Sequence, residues 1–233
     1  MIRVRILNSE EEYEIRPSKI IGVGLNYHDH LAEHDQLHNT KTEIPKEPVL
    51  FGKTPNTLTP SGSPIVLPSF VEGYGYENPR TDYEGELAVI IKERCRNLSH
   101  GEAMEVILGY TIMNDVSQRN LQKGDTSGWF RGKCLDTFGP IGPAVLLTKD
   151  CQDPQKLSIE TRLNGRVVQA SNTAEMIFPV RELIVFASQM MTLEAGDIIS
   201  TGTPSGVGPL QEGDQVEVKI EKIGTLVNAV IRG

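Results

Sequence analysis

The chain is predicted to be a β-rich protein of mixed α+β class, dominated by antiparallel strands with a few short helices. Three observations predict it. Apolar runs with strand signals outnumber helical ones, above all in the later half of the 233 residues. Asn164-Gly165 separates two such runs, the mark of a tight two-residue hairpin. Gln215–Ile220 and Leu226–Ile231 alternate well and should pair across Gly224.

The elements follow in order. Residues 2–6 and 12–15 read as a small hairpin around Ser9-Glu10-Glu11, within a short N-terminal segment over 1–18. Residues 19–233 read as one domain, since no low-complexity linker, long charge run or repeat divides them. Lys19–Leu25 is a strand. Asn26–His34 is a short helix capped by Asn26, and polar residues 35–46 are a mobile surface loop. Residues 82–91 are a strand, and 107–117 hold another apolar run that ends in Asn114-Asp115. Between them, Ser99 and Glu102 have capping-box spacing and predict a helix of about two turns. A further strand starts near Phe138, and Leu157–Leu163 and Val167–Ala170 flank the Asn164 turn. Val180, Leu183, Ile184, Ala187 and Met191 mark one face of a helix begun after Pro179. Glu194–Asp197 turns into the strand Ile198–Thr201.

A net charge of −8 and a pI near 5.2 argue against nucleic acid as a partner, because phosphate binding relies on basic surface. An anionic substrate must then be drawn in locally, by a metal or a few placed cations. The first residues lack the continuous apolar stretch of a signal peptide, and no window is long and apolar enough to span a membrane. Cys95, Cys134 and Cys151 show no pairing motif, which fits a reducing cytoplasm.

The most informative stretch is Asp82-Tyr83-Glu84-Gly85-Glu86-Leu87-Ala88-Val89-Ile90-Ile91. On a strand, Glu84 and Glu86 share a face with Ala88 and Ile90, while Leu87, Val89 and Ile91 take the other. Both faces continue as apolar. Two carboxylates held beside a partly buried face repel each other and lose hydration, and a divalent cation between them relieves both penalties. The alternative is an exposed strand end with both glutamates solvated. Asp115, at the end of the second apolar run, is by itself a turn or cap residue. Together the three make an all-oxygen set suited to Mg²⁺ or Mn²⁺, with Ca²⁺ as a third candidate, and unlike a structural zinc site.

The segments Asp82–Leu87, Asn114–Gln122, Gly132–Pro140 and Thr201–Gly208 occur in that order. Together they closely resemble the fumarylacetoacetate hydrolase family, over nearly the whole chain from about Lys19 onward. The resemblance implies a mixed β-roll or barrel-like fold with a metal at one open end, a mobile lid and a homodimer. It also implies Glu84, Glu86 and Asp115 as metal ligands.

Other residues gain roles from the same source. His30 and Glu33, three apart on a helix, are either an ordinary exposed pair or a base with its orienting carboxylate. The family's Asn-Tyr-x-x-His-x-x-Glu lid segment, matched by Asn26, Tyr27, His30 and Glu33, implies the latter; His28 and His34 match nothing and read as solvated. Lys133 is a surface lysine by default, and the resemblance points it at substrate, steadying negative charge on oxygen. Arg119 and Gln122 sit one helical turn apart as substrate ligands, though Arg119 could equally pair with a structural carboxylate. Thr203, in Thr201-Gly202-Thr203-Pro204, belongs either to a plain loop or, as the family implies, to a cradle for a carboxylate. Lys53 is one more cation near the mouth. Gln118, Asn120 and Cys134-Leu135 depart from the commoner family pattern, which leaves the pocket shape open.

The reading that results is a metal-dependent enzyme acting on a small 2-oxo or 2-hydroxydienoic acid, with hydrolytic C–C cleavage of a 3-acylpyruvate as the leading reaction. Decarboxylation of oxaloacetate and isomerisation of 2-hydroxyhepta-2,4-diene-1,7-dioate are alternatives at the same site. A non-catalytic keto-acid binder is a further one.

Overall fold

The computed structural model describes residues 2–38, 43–126 and 129–233, with backbone only for 34–38. The strands of the first half are β1 (Ile2–Ile6), β2 (Glu12–Ile15), β3 (Ile20–Gly24), β4 (Val49–Lys53), β5 (Leu58–Pro60), β6 (Ile65–Leu67), β7 (Thr81–Tyr83), β8 (Gly85–Ile91), β9 (Ile107–Asn114) and β10 (Ser117–Gln118). Those of the second half are β11 (Gly139–Leu147), β12 (Ser158–Leu163), β13 (Arg166–Asn172), β14 (Ile198–Ser200), β15 (Gly208–Pro209), β16 (Gln215–Ile220) and β17 (Gly224–Arg232). Helices α1 (His28–His38), α2 (Arg119–Lys123), α3 (Phe130–Lys133) and α4 (Val180–Met190) lie between them.

A nine-stranded sheet runs β2-β1-β11-β9-β8-β14-β3-β4, with β5 added on β11. A five-stranded sheet runs β13-β12-β16-β17-β6, and β10-β7-β15 form a small third sheet. Most neighbours are antiparallel, as expected. The parallel pairings β1–β11, β5–β11, β3–β14 and β6–β17 join segments far apart in sequence. Among the described residues no sheet closes on itself, so the architecture is an open stack rather than a barrel. The hairpin of β1 and β2 enters the large sheet through the β1–β11 pairing.

The alternation read from residues 82–91 sets the cores. Leu87, Val89 and Ile91 enter one core, with Tyr110, Ile112, Leu183, Ile184 and Val218. Ala88 and Ile90 enter another on the opposite face, with Met113, Ile141 and Val145. A strand buried on both faces reads as continuous apolar sequence, which is what Leu87–Ile91 shows. Asn164 (φ +51°) and Gly165 (φ +78°) make the expected left-handed turn between β12 and β13. Helix α4 buries Val180, Leu183, Ile184 and Ala187 along its predicted face.

Three local expectations need correction. Asn26 does not cap α1. Its Nδ2 donates to the carbonyls of Phe178 (3.1 Å) and Thr201 (2.7 Å), and its Oδ1 accepts from the Phe178 amide at 2.8 Å. It is fully buried, so these distant backbone groups rather than the helix start use its polarity. Residues 35–38 continue α1 instead of forming a loop; residues 39–42 of that expected loop lie outside the described residues, and so does the side chain of His34. After Ser99 there are turns instead of a helix, although the Ser99 amide and hydroxyl do reach Glu102 Oε2 at 2.9 and 2.6 Å. The Lys92 amide donates to Val106 O at 2.7 Å, and Ile107 already pairs in β9, so the chain must be extended before a second turn can form.

Candidate active site and metal centre

The start of β8, the end of β9 and the ends of β14 and β3 meet at one end of the interior strands of the large sheet. Pairing of β8 with β9 in the register Gly85–Asn114 brings Asp115 beside Glu84. The Asp115 amide donates to Glu84 O at 2.8 Å, and the Glu84 amide donates to Asn114 Oδ1 at 2.8 Å. Glu84, Glu86 and Asp115 are all buried, and each offers a carboxylate oxygen within 4.8 Å of the others'. The three acids are therefore brought together, with no solvated strand end.

Their surroundings differ. Glu86 Oε2 accepts from Ser200 Oγ at 2.6 Å and from the Gly202 amide at 2.9 Å. Burial raises its pKa well above the usual range, and the neighbouring Asp115 and Glu84 carboxylates add to the rise. Burial also pushes Glu84 upward, but Arg119 and Lys133 outweigh it and hold that carboxyl below its ordinary value. Lys133 Nζ lies 2.5 Å from Glu84 Oε2 and 2.5 Å from Asp115 Oδ2, over the ring of Phe51 at 4.8 Å. Lys133 is 2 % exposed; burial lowers its pKa, and the two carboxylates more than reverse that. Lys53, also 2 % exposed, lies 2.7 Å from Asp115 Oδ1 and donates to Val116 O at 3.2 Å. It therefore sits behind the acids rather than at the mouth, where the sequence had suggested it. Burial is the main reason its pKa is lowered.

Arg119 has both of the roles weighed for it within reach. Its Nε donates to Asp82 Oδ2 at 2.8 Å, its Nη2 pairs with Glu84 Oε1, and its Nη1 donates to Gln122 Oε1 at 3.0 Å. Asp82 also accepts from Arg80 Nε at 2.7 Å. Gln118 caps the short α2 that carries Arg119 and Gln122, accepting from the Leu121 amide at 2.8 Å.

His30 and Glu33 face the same cavity. His30 Nδ1 lies 3.5 Å from Glu33 Oε2, beyond hydrogen-bond length, and is buried with no hydrogen-bond partner among the described residues. Glu33 Oε2 accepts instead from the Gly206 amide at 2.9 Å, and Asp29 Oδ2 accepts from Ser205 Oγ at 3.1 Å, so two acids of α1 tie it to the 203–208 loop. Thr203 lines the cavity, with its hydroxyl donating to Gly85 O at 3.0 Å and accepting from Gln169 Nε2 at 2.8 Å. His28 is exposed.

The cavity holds about 580 Å³. Its lining combines the ionic Glu84, Glu86, Arg119 and Lys133 with the apolar Val23, Leu25, Phe51, Trp129 and Val207. Gly22 makes room for Phe51, because a Cβ there would meet its ring at 2.2 Å. Sequence reasoning did not find Ser200, Gly202, Asp82 or Asn114, which hold the acids and Arg119. Asp82, Asn114 and Gly202 lie inside the segments that carry the family resemblance and Ser200 lies next to one, but only strand pairing says what they touch.

The donor set fits a hard divalent cation. It is all oxygen and buried, and burial above all, with the Asp115 and Glu84 carboxylates adding to it, disfavours a charge on Glu86 that a cation there would favour.

Comparison with known proteins gives a consistent picture. Residues 19–231 match the family model described as fumarylacetoacetate (FAA) hydrolase C-terminal. An oxaloacetate tautomerase of Bacillus subtilis is 42% identical over 223 residues, covering 92% of this chain and 70% of that protein. The structure of 5-carboxymethyl-2-hydroxymuconate delta-isomerase from Mycobacterium smegmatis superposes with a TM-score of 0.81 at 39% identity, covering 94% of this chain and 78% of that one. Maleylpyruvate hydrolase from Sphingobium sp. SYK-6, solved in complex with manganese(II) ion and pyruvate, gives a TM-score of 0.76 at 32% identity, with 93% and 71% covered.

Proposed function

The chain belongs to the fumarylacetoacetate hydrolase family of enzymes, and on that premise we propose that it is a Mg²⁺- or Mn²⁺-dependent enzyme that hydrolyses a C–C bond of a small 3-acylpyruvate. The observation that carries the reading is the convergence of Glu84, Glu86 and Asp115 within 4.8 Å, beside a cavity that Glu84 and Glu86 line together with His30, whose Nδ1 has no hydrogen-bond partner among the described residues. When bound by these acids, a divalent cation supplies Lewis acidity toward the oxygens of a 2-oxo acid.

The chain's own residues account for the remaining steps. Arg119 and Gln122 donate to the substrate's acid end, and Thr203, whose hydroxyl proton goes to Gly85 O, offers it a backbone amide; with a chain charge of −8, a local cation such as Arg119 is what draws an anion in. His30 accepts the proton of a water that attacks the distal carbonyl, and the Glu33 carboxylate, 3.5 Å from its Nδ1, favours the imidazolium that forms. Lys133 donates to the oxygen on which negative charge develops. The C–C bond then breaks with its electron pair leaving on the pyruvate fragment, which is protonated at C3. Water is consumed, and a carboxylic acid and pyruvate are released.

A second reading is favoured by the tautomerase and isomerase relatives. There His30 moves a proton between C3 and the 2-oxygen of an oxaloacetate-like or dienedioate substrate, and no bond to carbon is hydrolysed. Assay of 3-acylpyruvates, oxaloacetate (both enol conversion and decarboxylation) and a 2-hydroxydienedioate, each with Mg²⁺, Mn²⁺ and EDTA, decides between them. Turnover of none of these with metal present would remove the proposed activity; EDTA-insensitive turnover would remove the metal.

We further propose a cytoplasmic homodimer. The three cysteines are free, which suits a reducing compartment, and among the described residues no helix is long and apolar enough to cross a membrane. The rings of Phe70 and Tyr74, each 50 % exposed, offer apolar surface for self-contact. Light scattering on a sizing column measures the mass.

A further inference from the structure

Gln169 lies in the middle of β13, on the five-stranded sheet, and takes no part in the chemistry described above. It is 1 % exposed, and its amide closes a circuit around the backbone of one residue. The Gly85 amide, between Glu84 and Glu86, donates to Gln169 Oε1 at 3.1 Å. Gln169 Nε2 donates to Thr203 Oγ1 at 2.8 Å and to Pro204 O at 2.9 Å, and Thr203 Oγ1 donates on to Gly85 O at 3.0 Å. Both backbone polar groups of Gly85, its N–H and its C=O, are thus fixed by side chains, one in each of the peptide units that flank it.

Two glycines make the approach possible. A Cβ on Gly85 would meet Thr161 Oγ1 at 2.4 Å and Val218 Cγ1 at 2.9 Å. One on Gly206 (φ +93°) would meet Val168 O at 1.9 Å. The second sheet therefore presses directly on the backbone that carries the acids and on the loop that carries Thr203. Without Gln169 the buried Gly85 amide would lose its acceptor, and the peptide would have to turn to find another.

Resting on the proposal that these acids hold a divalent cation and that Thr203 contacts substrate, we propose that Gln169 is a positioning residue. One arm of its amide sets the angle between the Glu84 and Glu86 carboxylates, and the other sets the substrate loop. The test is Mn²⁺ titration by calorimetry on Gln169→Met, with melting temperature and KM measured alongside. The control is Gln155→Met, since Gln155 also bridges two backbone groups, donating to Thr173 O at 2.7 Å and accepting from the Val180 amide at 2.8 Å, away from the acids. Gln169→Met is expected to weaken Mn²⁺ binding by about tenfold or more and to raise KM, as loss of groups that orient metal ligands does. Gln155→Met should melt earlier with its Mn²⁺ affinity unchanged. If Gln169→Met fails to fold, Gln169→Asn, too short to span both arms, is expected to weaken Mn²⁺ binding likewise. A folded Gln169 variant that binds Mn²⁺ as tightly as the wild type overturns the positioning role. A wild-type protein that binds no Mn²⁺ overturns the metal reading beneath it.

Discussion

The Gly202 amide donates to Glu86 Oε2 at 2.9 Å, and Gly202 does so from a positive-φ conformation, φ +94°. A Cβ there would lie 2.8 Å from Asn26 Cβ and 3.2 Å from Val23 O. The residue that holds Glu86 thus has neither the backbone freedom nor the space for a side chain.

Gly202→Ala should therefore destabilise the fold by about 1–3 kcal/mol, from strain at a positive φ, and weaken Mn²⁺ binding as Glu86 loses its donor. Urea unfolding and a Mn²⁺ titration measure the two effects. Wild-type values in both would contradict the role given to this amide.

Glu86→Gln should separate ion-free from ion-loaded stability. In the ion-free protein the substitution removes a charge that burial and two neighbouring carboxylates disfavour, so the melting temperature should hold or rise. With Mn²⁺ at a hundredfold excess over its dissociation constant, the wild type should gain about 2.7 kcal/mol by mass action, and the variant far less. Equal gains in both proteins would remove Glu86 from the ligand set.

Asp197 should impose an acid limit on stability. It is fully buried, and it accepts from the Ser18 amide (3.0 Å), Ser18 Oγ (2.7 Å), the Lys19 amide (3.1 Å) and the Glu194 amide (2.8 Å), with Lys19 Nζ as ion partner. Burial raises its pKa, but these donors prevail and depress it. A depressed carboxyl contributes stability that is fully present above the unfolded value, about 3.9. That stability is lost as pH falls through the lower folded value. Asp197→Ala should cost about 2–4 kcal/mol at neutral pH, from buried donors left unpaired, and the deficit should shrink below about pH 4. Unfolding curves at several pH values test it, and a deficit independent of pH would count against the assignment.

His30→Ala should lower turnover by about 10²–10⁴-fold, the usual contribution of a general base, while oxalate or pyruvate binding stays near the wild-type level. Full turnover in the variant would pass the base role to another group. Lost oxalate binding would instead make His30 a binding residue.

Much of the local structure was legible because its rule is local. The period-2 alternation of residues 84–91 divides β8 between two cores as read, and Asn164-Gly165 turns where two positive-φ residues are needed. Capping signals were less reliable. Asn26 and Ser99 both carry cap chemistry, but Asn26 uses it across 152 and 175 residues of sequence, and strand pairing ends the turns after Ser99 early.

By itself the sequence determined the strand faces, the hairpins, the surplus of negative charge and the three candidate acids, since each follows from side-chain type and spacing within one segment. Only the tertiary structure decided that Glu84 and Asp115 meet, through the β8–β9 register. It also decided that Lys53 lies behind Asp115, that Glu33 is held by Gly206, and that Gln169 reaches Gly85 from another sheet. The physical reason is range: alternation and turn preference act over a few residues. A contact between residues 85 and 169 depends on how two sheets pack, which no local period encodes.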